Sequence, residues 1–284
     1  MKPSILCVCM AFICMANADE VKIQHKGLTL NGNLEVAGPK DTIFLIVHGT
    51  WGHHGMEIIS GLQGLLADSE QNSLAISLSL GVNDRKGFMG CEQPIIANHG
   101  DAASEIAAWV DYLKSQWTQI VIVGHSRGGN QVSLFQQKYP SSKVSHLVLI
   151  APMTRQVDKE HDAYDKRFSV PLNTLLDLAR EESGGMINAG VINCEDIAVN
   201  AESFLSYYGE QPNRNTPELL NIINRPVLVF LGTDDSLSLG YKSQSALVEQ
   251  NPLVEEYWVE GADHFFRDFY SDELIEVMLQ WLDK

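Results

Sequence analysis

The sequence is short of positive charge, and this shortage limits its partners. It contains 20 lysine and arginine residues against 36 aspartate and glutamate residues, a formal net charge of −16. A surface with that balance repels nucleic acids and anionic membranes, so neither is expected as a bulk electrostatic partner. A small-molecule substrate stays open, because the charge inside a pocket can differ from the total.

Internal repeats, heptads and low-complexity segments are also missing, and with them the sequence features of a scaffold protein. Hydrophobic residues make up 45% of the 284 residues, and charged residues make up 20%. This composition excludes a disordered chain and supplies enough apolar side chains for a large core. The sequence makes no prediction about oligomeric state.

Long apolar runs are almost absent, and the one exception lies near the N-terminus. Lys2 precedes an apolar stretch over residues 5–15, and Ala-Asn-Ala follows at 16–18. This order predicts a signal peptide over residues 1–18, and therefore a periplasmic or secreted protein. The stretch is too short to span a bilayer comfortably, so stable membrane insertion is not expected. The alternative is a buried N-terminal strand or helix.

Cysteine is scarce as well. Three of the five cysteines fall within the predicted signal peptide, which leaves Cys91 and Cys194. An even pair in an oxidising compartment favours a disulfide between them, and two separate buried thiols are the alternative. No Cys-x-x-Cys motif occurs, so a redox motif or a zinc ribbon is not expected.

Apolar runs typical of buried strands alternate with helical patterns along most of the chain. Such alternation predicts a mostly parallel sheet with helices on both faces. Asn31-Gly32 is a good two-residue turn and predicts a hairpin within residues 21–36. The other predicted strands are 42–47, 74–80, 120–123, 144–150, 227–231 and 255–259; the predicted helices lie over 58–66, 106–117, 131–139 and 274–282.

One long stretch, residues 153–224, interrupts the alternation. It shows helical patterns and no convincing strand, and it is too long for a simple crossover. We therefore expect a helical cap at 153–224 over a core formed by residues 19–152 and 225–284. Caps of this kind shape binding sites.

A candidate nucleophile follows the predicted strand at 120–123. Gly124-His125-Ser126-Arg127-Gly128 is a Gly-x-Ser-x-Gly motif between a strand and a helix, which is the context that exposes a serine hydroxyl on a strained turn. A bare motif of this kind is also found in ordinary glycine-rich turns. The strand and the helix around it favour the catalytic interpretation.

A serine hydroxyl needs a base, and that base needs an acid to orient it. Asp234 and Asp235 come directly after the strand at 227–231, and His264 follows the last strand. Ligands bind at the carboxyl ends of parallel strands, where all these residues would lie. Their order along the chain, serine, then aspartate, then histidine, is that of one known triad arrangement.

These motifs, together with Leu45-Ile46-Val47-His48-Gly49-Thr50, make the sequence resemble the α/β-hydrolase superfamily. The resemblance covers nearly all of the chain after residue 18. It implies an α/β fold with an eight-stranded, mostly parallel sheet and a cap inserted after the sixth strand.

The resemblance also implies roles. Ser126 is the expected nucleophile and His264 the general base and later acid. A Gly-x-x-Asp pattern picks Asp235 as the triad acid, with Asp234 as its rival. The backbone N–H groups of Thr50 and Arg127 are the expected oxyanion hole, where backbone donors stabilise the tetrahedral intermediate.

Four further residues are candidates for substrate binding, each with a structural alternative. Trp51 either walls the pocket or packs. Arg85 and His99 lie in the loop at 81–100, which either overhangs the site or is a solvated loop. Tyr207 either contacts substrate from the cap or packs there.

No metal and no cofactor are expected. Neighbouring His53 and His54 point apart in regular structure and lack a carboxylate at ligand spacing. No dinucleotide fingerprint or phosphate-binding loop occurs.

The sequence therefore predicts a serine hydrolase that cleaves a carboxylic ester of a small to medium substrate through an acyl-enzyme. An amidase, peptidase or lipase is the alternative within the same fold, and a non-catalytic ligand-binding protein is the alternative outside enzymology.

Overall fold

A computed structural model describes residues 18–210 and 214–284 of the chain. The predicted signal peptide lies outside these residues except for Ala18, with which the first strand begins. Over the ranges described, no helix is long and apolar enough to cross a membrane.

The described residues form ten strands, and eight of them make one sheet. The strands are β1 (Ala18–His25), β2 (Leu28–Glu35), β3 (Thr42–Val47), β4 (Asn72–Ser77), β5 (Gln119–His125), β6 (Val144–Ile150), β7 (Met186–Val191), β8 (Cys194–Asn200), β9 (Val227–Gly232) and β10 (Val254–Val259). The order in the sheet is β1-β2-β4-β3-β5-β6-β9-β10. Only the pairings of β1 with β2 and of β2 with β4 are antiparallel, so the predicted mostly parallel sheet of eight strands is confirmed.

Helices cover both faces of this sheet, because its central strands are apolar on both sides. The helices are α1 (Glu57–Asp68), α2 (Asp101–Leu113), α3 (Arg127–Lys138), α4 (Val157–Arg167), α5 (Leu172–Glu181), α6 (Ala201–Tyr208), α7 (Thr216–Leu220), α8 (Ser236–Lys242) and α9 (Phe269–Leu282). Ile43, Leu45 and Val47 of β3 pack under α2 and α3, whereas Phe44 and Ile46 pack under α1 and α9.

The first hairpin turns at a different place from the predicted one. Lys26 and Gly27 form the turn, with φ of 47° and 80°, the positive values that a tight hairpin turn requires. Asn31 and Gly32 lie inside β2 instead. Gly32 allows β2 to lie close to β4, since a Cβ on it would lie 2.9 Å from the carbonyl oxygen of Ala75 in β4.

The segment 153–224 is not purely helical, so this prediction was wrong in part. It contains the antiparallel hairpin of β7 and β8. Its turn includes Ile192, which adopts a φ of 54°, and the Ile192 amide donates a hydrogen bond of 2.7 Å to the Tyr208 hydroxyl. A turn that a distant tyrosine stabilises, without glycine, carries no local sequence signal.

The predicted disulfide is present in the structure and joins the core to this hairpin. Cys91 and Cys194 are bonded with their Cα atoms 5.5 Å apart. Next to the bridge, the loop pairs with β8, because the Ile95 amide donates to the Ala198 carbonyl at 2.9 Å and the Asn200 amide donates to the Ile95 carbonyl at 2.8 Å. The loop at 81–100 and the hairpin are therefore held together covalently and by backbone hydrogen bonds.

We expect the bridge to contribute to global stability. The two cysteines are 103 residues apart in the sequence. Cross-links of this kind typically contribute about 2–4 kcal/mol to the free energy of unfolding, because they restrict the unfolded chain. The double variant Cys91→Ala/Cys194→Ala should lose about that free energy of unfolding in urea titrations. Dithiothreitol should reproduce the loss in the wild type and leave the variant unchanged. Two free thiols in a non-reducing peptide map of the wild type would contradict the bridge.

Candidate active site

The site is organised around a strained turn at Ser126, between β5 and α3. Ser126 has φ 55° and ψ −121°, a conformation that non-glycine residues adopt rarely and at functional sites. Its amide donates to the Ile150 carbonyl at 2.9 Å. Gly128 permits the turn, because a Cβ there would lie 2.4 Å from the carbonyl oxygen of His48.

Three side chains from distant parts of the chain form a continuous hydrogen-bonded chain at this turn. The Ser126 hydroxyl donates to His264 Nε2 at 2.9 Å. His264 Nδ1 in turn donates to Asp235 Oδ2 at 3.0 Å. The predicted serine, histidine and aspartate thus lie together, in the geometry that lets an imidazole take a proton from a serine.

Asp235, and not Asp234, contacts the histidine. Asp235 is 4% exposed and caps the N-terminus of α8, accepting from the amides of Leu237 and Ser238 and from the Ser238 hydroxyl. Burial alone would raise the pKa of Asp235, but the hydrogen bonds from His264, Leu237 and Ser238 lower it overall. The Asp234 side chain is exposed. Ser238 was not predicted, although aspartate at a helix start is a recognisable cap.

The backbone of His264 has its own support. His125 Nε2 donates to the His264 carbonyl at 2.9 Å, and the two rings lie 5.0 Å apart. His125 is buried, and burial together with the neighbouring His264 lowers its pKa to about 4. It is therefore a neutral structural donor at neutral pH.

The two predicted oxyanion donors lie beside the serine. A Cβ on Gly49 would lie 3.1 Å from Ser126 Cβ, so the loop after β3 directly adjoins the nucleophile turn. The amides of Thr50 and Arg127 donate to no residue in the part of the chain that the structure describes. Their side chains are tied together, because Arg127 Nε donates to Thr50 Oγ1 at 3.1 Å.

The family model described as "Alpha/beta hydrolase family" matches residues 44–277. The chain belongs to the alpha/beta hydrolase family. No match is found among the curated proteins.

Solved structures of this family share the fold at low sequence identity. Est1E from Butyrivibrio proteoclasticus is 17% identical with a TM-score of 0.63, and the match covers 93% of this chain and 99% of that one. The Pyrococcus furiosus esterase Pf2001 is 16% identical with a TM-score of 0.64, over 99% and 95% of the two chains. A thermophilic esterase from Thermogutta terrifontis is 17% identical with a TM-score of 0.60, over 94% and 98%.

Arg85 holds the loop after β3, which contains the predicted oxyanion donor Thr50. It is 7% exposed, so the loop at 81–100 is not solvated there as one sequence interpretation held. Arg85 Nη2 donates to the Gly52 carbonyl at 2.6 Å and to His48 Nε2 at 3.1 Å, and Arg85 Nε donates to the Leu78 carbonyl at 2.8 Å. The Nε and Nη2 groups of Arg85 therefore donate to protein acceptors and not to a substrate.

His99 is likewise buried, at 1% exposed, and is hydrogen-bonded to two residues of α3. Its Nε2 donates to Asn130 Oδ1 at 2.7 Å, and its Nδ1 accepts from Arg127 Nη1 at 3.3 Å. Asn130 then donates to Thr216 Oγ1 at 3.2 Å. Arg127 is therefore fixed by protein partners, including the Tyr207 ring that it faces at 5.2 Å.

Trp51 and Tyr207 both pack in the apolar cluster of the 153–224 segment, where they are 6% and 3% exposed. The neighbouring histidines have separate partners. His54 Nδ1 lies 2.8 Å from the Ser77 hydroxyl, whereas the His53 ring packs edge-on against Phe88 at 4.8 Å.

Two cavities are lined by residues that follow His264 and Asp235 in the sequence. One, of about 550 Å³, is mainly apolar and lies beside Phe265, the residue after His264; His53, Met56 and Phe88 also line it. The other, of about 430 Å³, lies beside Ser236 and Leu237, directly after Asp235. Arg155, Glu160 and Arg214 line it, and the sequence did not single them out, since only the folded chain brings them together.

We expect this protein to lose stability steeply in mild acid. Burial, together with nearby arginines, lowers the pKa of His48 and of His99 to about 3, and burial lowers that of His125 to about 4. Unfolded histidine titrates near pH 6.5, so below that pH the unfolded state binds protons that the folded state does not. Each histidine should remove about 1.4 kcal/mol per pH unit between roughly pH 6 and 4.

The measurement is urea unfolding, followed by tryptophan fluorescence, at several pH values from 7 down to 4.5. His99→Gln keeps a donor for Asn130 and removes one titrating group. Its free energy of unfolding should fall with pH less steeply than that of the wild type, by about one histidine's share. Equal slopes for the variant and the wild type would show that His99 does not contribute.

Proposed function

We propose that this protein is a serine hydrolase that cleaves the ester bond of a small to medium substrate through an acyl-enzyme. The observation that carries the proposal is the chain of hydrogen bonds at 2.9 Å and 3.0 Å from Ser126 through His264 to Asp235. At the Ser126 end of this chain lie two backbone amides, of Thr50 and Arg127, that have no acceptor among the described residues.

In the proposed reaction, His264 Nε2 takes the hydroxyl proton as Ser126 Oγ attacks the carbonyl carbon. The negative charge that forms on the carbonyl oxygen is stabilised by the Thr50 and Arg127 amides. Asp235 stabilises the imidazolium and fixes its tautomer. When the intermediate collapses, His264 gives the proton to the departing alcohol. Water, activated by the same histidine, then releases the acid and restores Ser126.

Ester hydrolysis is favoured over the other reactions of this fold by two observations. Solved structures of two proteins with this fold are described as esterases, and the cavities near the site, of about 430 and 550 Å³, suit small to medium molecules. Binding without catalysis is disfavoured, because every member of the proposed triad is present and correctly oriented.

The proposal includes a division of the chain into a core, residues 19–152 and 225–284, and a cap, residues 153–224. An apolar cluster that includes Leu175, Ile187 and Phe204 supports the cap. α7 is an exception, since Leu219 and Leu220 pack in the core. Export to the periplasm or the medium is also proposed, and the Cys91–Cys194 bridge supports it.

Ser126→Ala should abolish hydrolysis of p-nitrophenyl esters. We expect kcat to fall by about 10⁴-fold or more, since the nucleophile is removed, and labelling by a fluorophosphonate probe to disappear. The assay covers chain lengths from acetate to palmitate, and the best substrate reports the size of the acyl pocket. Ser60→Ala, on the exposed side of α1, is the matched control and should retain activity and labelling. A folded Ser126→Ala protein with wild-type activity would refute the mechanism.

The adjacent aspartates offer a second, internally controlled test. Asp235→Asn should lower kcat by about 10³–10⁴-fold, because an amide cannot hold the histidine in the required tautomer. Asparagine also caps helices well, so α8 should survive the change. Asp234→Asn should stay near wild type. Kinetics on the best ester, with circular dichroism as the folding control, decide the matter; the reverse result would assign the acid to Asp234.

A further inference from the structure

The cavity of about 430 Å³ beside Asp235 has a composition unlike that of the chain as a whole. It lies between the segment after β6, the residue Arg214 and the start of α8. Three basic side chains and one acidic side chain line it, namely Arg155, Lys159, Arg214 and Glu160. In a chain with a net charge of −16, this is a local excess of positive charge. We refer to it as the Arg155 cavity.

The cavity is close to the reacting serine. Its lining begins at Met153, whose amide donates to the Ser126 carbonyl at 2.9 Å. On its other side it reaches Ser236, which follows the triad aspartate in sequence. The cavity thus adjoins the backbone of Ser126 on one side and the residue after Asp235 on the other.

One carboxylate serves two guanidinium groups here. Arg214 donates from Nη1 and Nη2 to the two oxygens of Glu160, at 2.9 and 2.8 Å. Arg155 donates from Nε to Glu160 Oε2 at 3.1 Å. Among the side chains that the structure describes, which do not include those of residues 157 and 158, two guanidinium groups thus share one carboxylate, and the remaining positive charge favours a second anion.

Arg155 keeps unused donors although it is largely buried. Its side chain is 10% exposed, and its Nη2 is buried without an acceptor among the side chains and backbone groups that the structure describes. Arg214 Nε is buried and lacks an acceptor in the same way. Buried arginine donors without acceptors are unfavourable, and a bound anion would satisfy them.

The backbone of Arg155 is held in place before any ligand arrives. Its amide donates to Asn215 Oδ1 at 3.3 Å, and its carbonyl accepts from Gln244 Nε2 at 3.0 Å. Asn215 also donates to Gln244 Oε1 at 2.8 Å. Such preorganisation lowers the entropy lost on binding.

We propose that the Arg155 cavity binds an anionic oxygen group of the substrate, a carboxylate or a phosphate, so that the enzyme selects esters that carry a negative charge away from the scissile bond. This inference rests on the proposed ester hydrolysis. It adds the substrate class, which neither the triad nor the fold determines.

The test compares charged and neutral esters that are otherwise alike. Mono-p-nitrophenyl glutarate against p-nitrophenyl valerate places the charge in the acyl part. 4-Acetoxybenzoate against phenyl acetate places it in the leaving group, and 4-acetoxyphenyl phosphate replaces the carboxylate by a phosphate. For wild type, kcat/KM should favour the charged member of at least one pair. The comparison of 4-acetoxybenzoate with the phosphate distinguishes the two anions.

Arg155→Gln should reduce the charged-to-neutral ratio of kcat/KM by about 10–100-fold, which is the range for a charge-assisted hydrogen bond. Arg155→Lys should restore part of the ratio. Arg180→Gln is the matched control, because it removes the same charge from an exposed position on α5, paired only with Asp177. It should leave the ratio unchanged.

Failure of this inference and failure of the proposed function look different. If wild type hydrolyses esters but shows no preference for either charged member, or if Arg155→Gln leaves the ratio unaltered, the cavity is not an anion site and the esterase assignment stands. If no ester is cleaved, calorimetric titration of wild type and Arg155→Gln with glutarate and with phenyl phosphate tests the site directly. Binding that the variant weakens supports the site, and the absence of binding overturns it.

Discussion

The structure depends most on the close backbone approach at the Ser126 turn. Holding a serine at φ 55° costs of the order of 1–3 kcal/mol, and the surrounding packing must compensate for it. Gly128 allows α3 to begin against the end of β3, and backbone bonds to Ile150, Gly129 and Met153 hold the turn on three sides. The same contact brings the Gly49 loop beside the serine, so one constraint positions both the proposed nucleophile and the proposed oxyanion donors.

Loops at the carboxyl edge of a sheet lack the backbone hydrogen bonds that join neighbouring strands. In this protein, hydrogen bonds from buried polar side chains hold these loops instead. Arg85 and His48 hold the loop after β3, while His99 links Arg127 to α7 through Asn130. A neutral imidazole suits this role because it donates from one nitrogen and accepts at the other. The arrangement ties the order of the active site to the protonation state of residues that take no part in the chemistry.

Sequence alone predicted the features that short segments determine. The strand–turn–helix around Ser126, the apolar strands and the Asp235 and His264 loops all carry local signals. The prediction placed the first hairpin turn at Asn31-Gly32, which has the better turn composition, and not at Lys26-Gly27, where it lies. Gly32 instead allows β2 to pack closely against β4, a tertiary contact that the local sequence does not show. β7 and β8 were missed for the same reason, and so was the burial of Arg85. The turn between β7 and β8 depends on Tyr208, 16 residues from Ile192, and Arg85 is held in part by Gly52 and His48, 33 and 37 residues away.

The proposed chemistry and the proposed selectivity have different structural sources. Backbone contacts at the Ser126 turn hold the proposed reacting atoms, whereas the charge of the Arg155 cavity comes from residues of the segment 153–224. Arg155 shows the connection: Asn215 and Gln244 hold its backbone, while Glu160 on α4 holds its guanidinium. A shift of α4 would therefore move the carboxylate and leave the arginine backbone in place. Because the balance of charge in the proposed anion site depends on α4, we expect substitutions on that helix to change which substrates are accepted without disturbing the proposed triad.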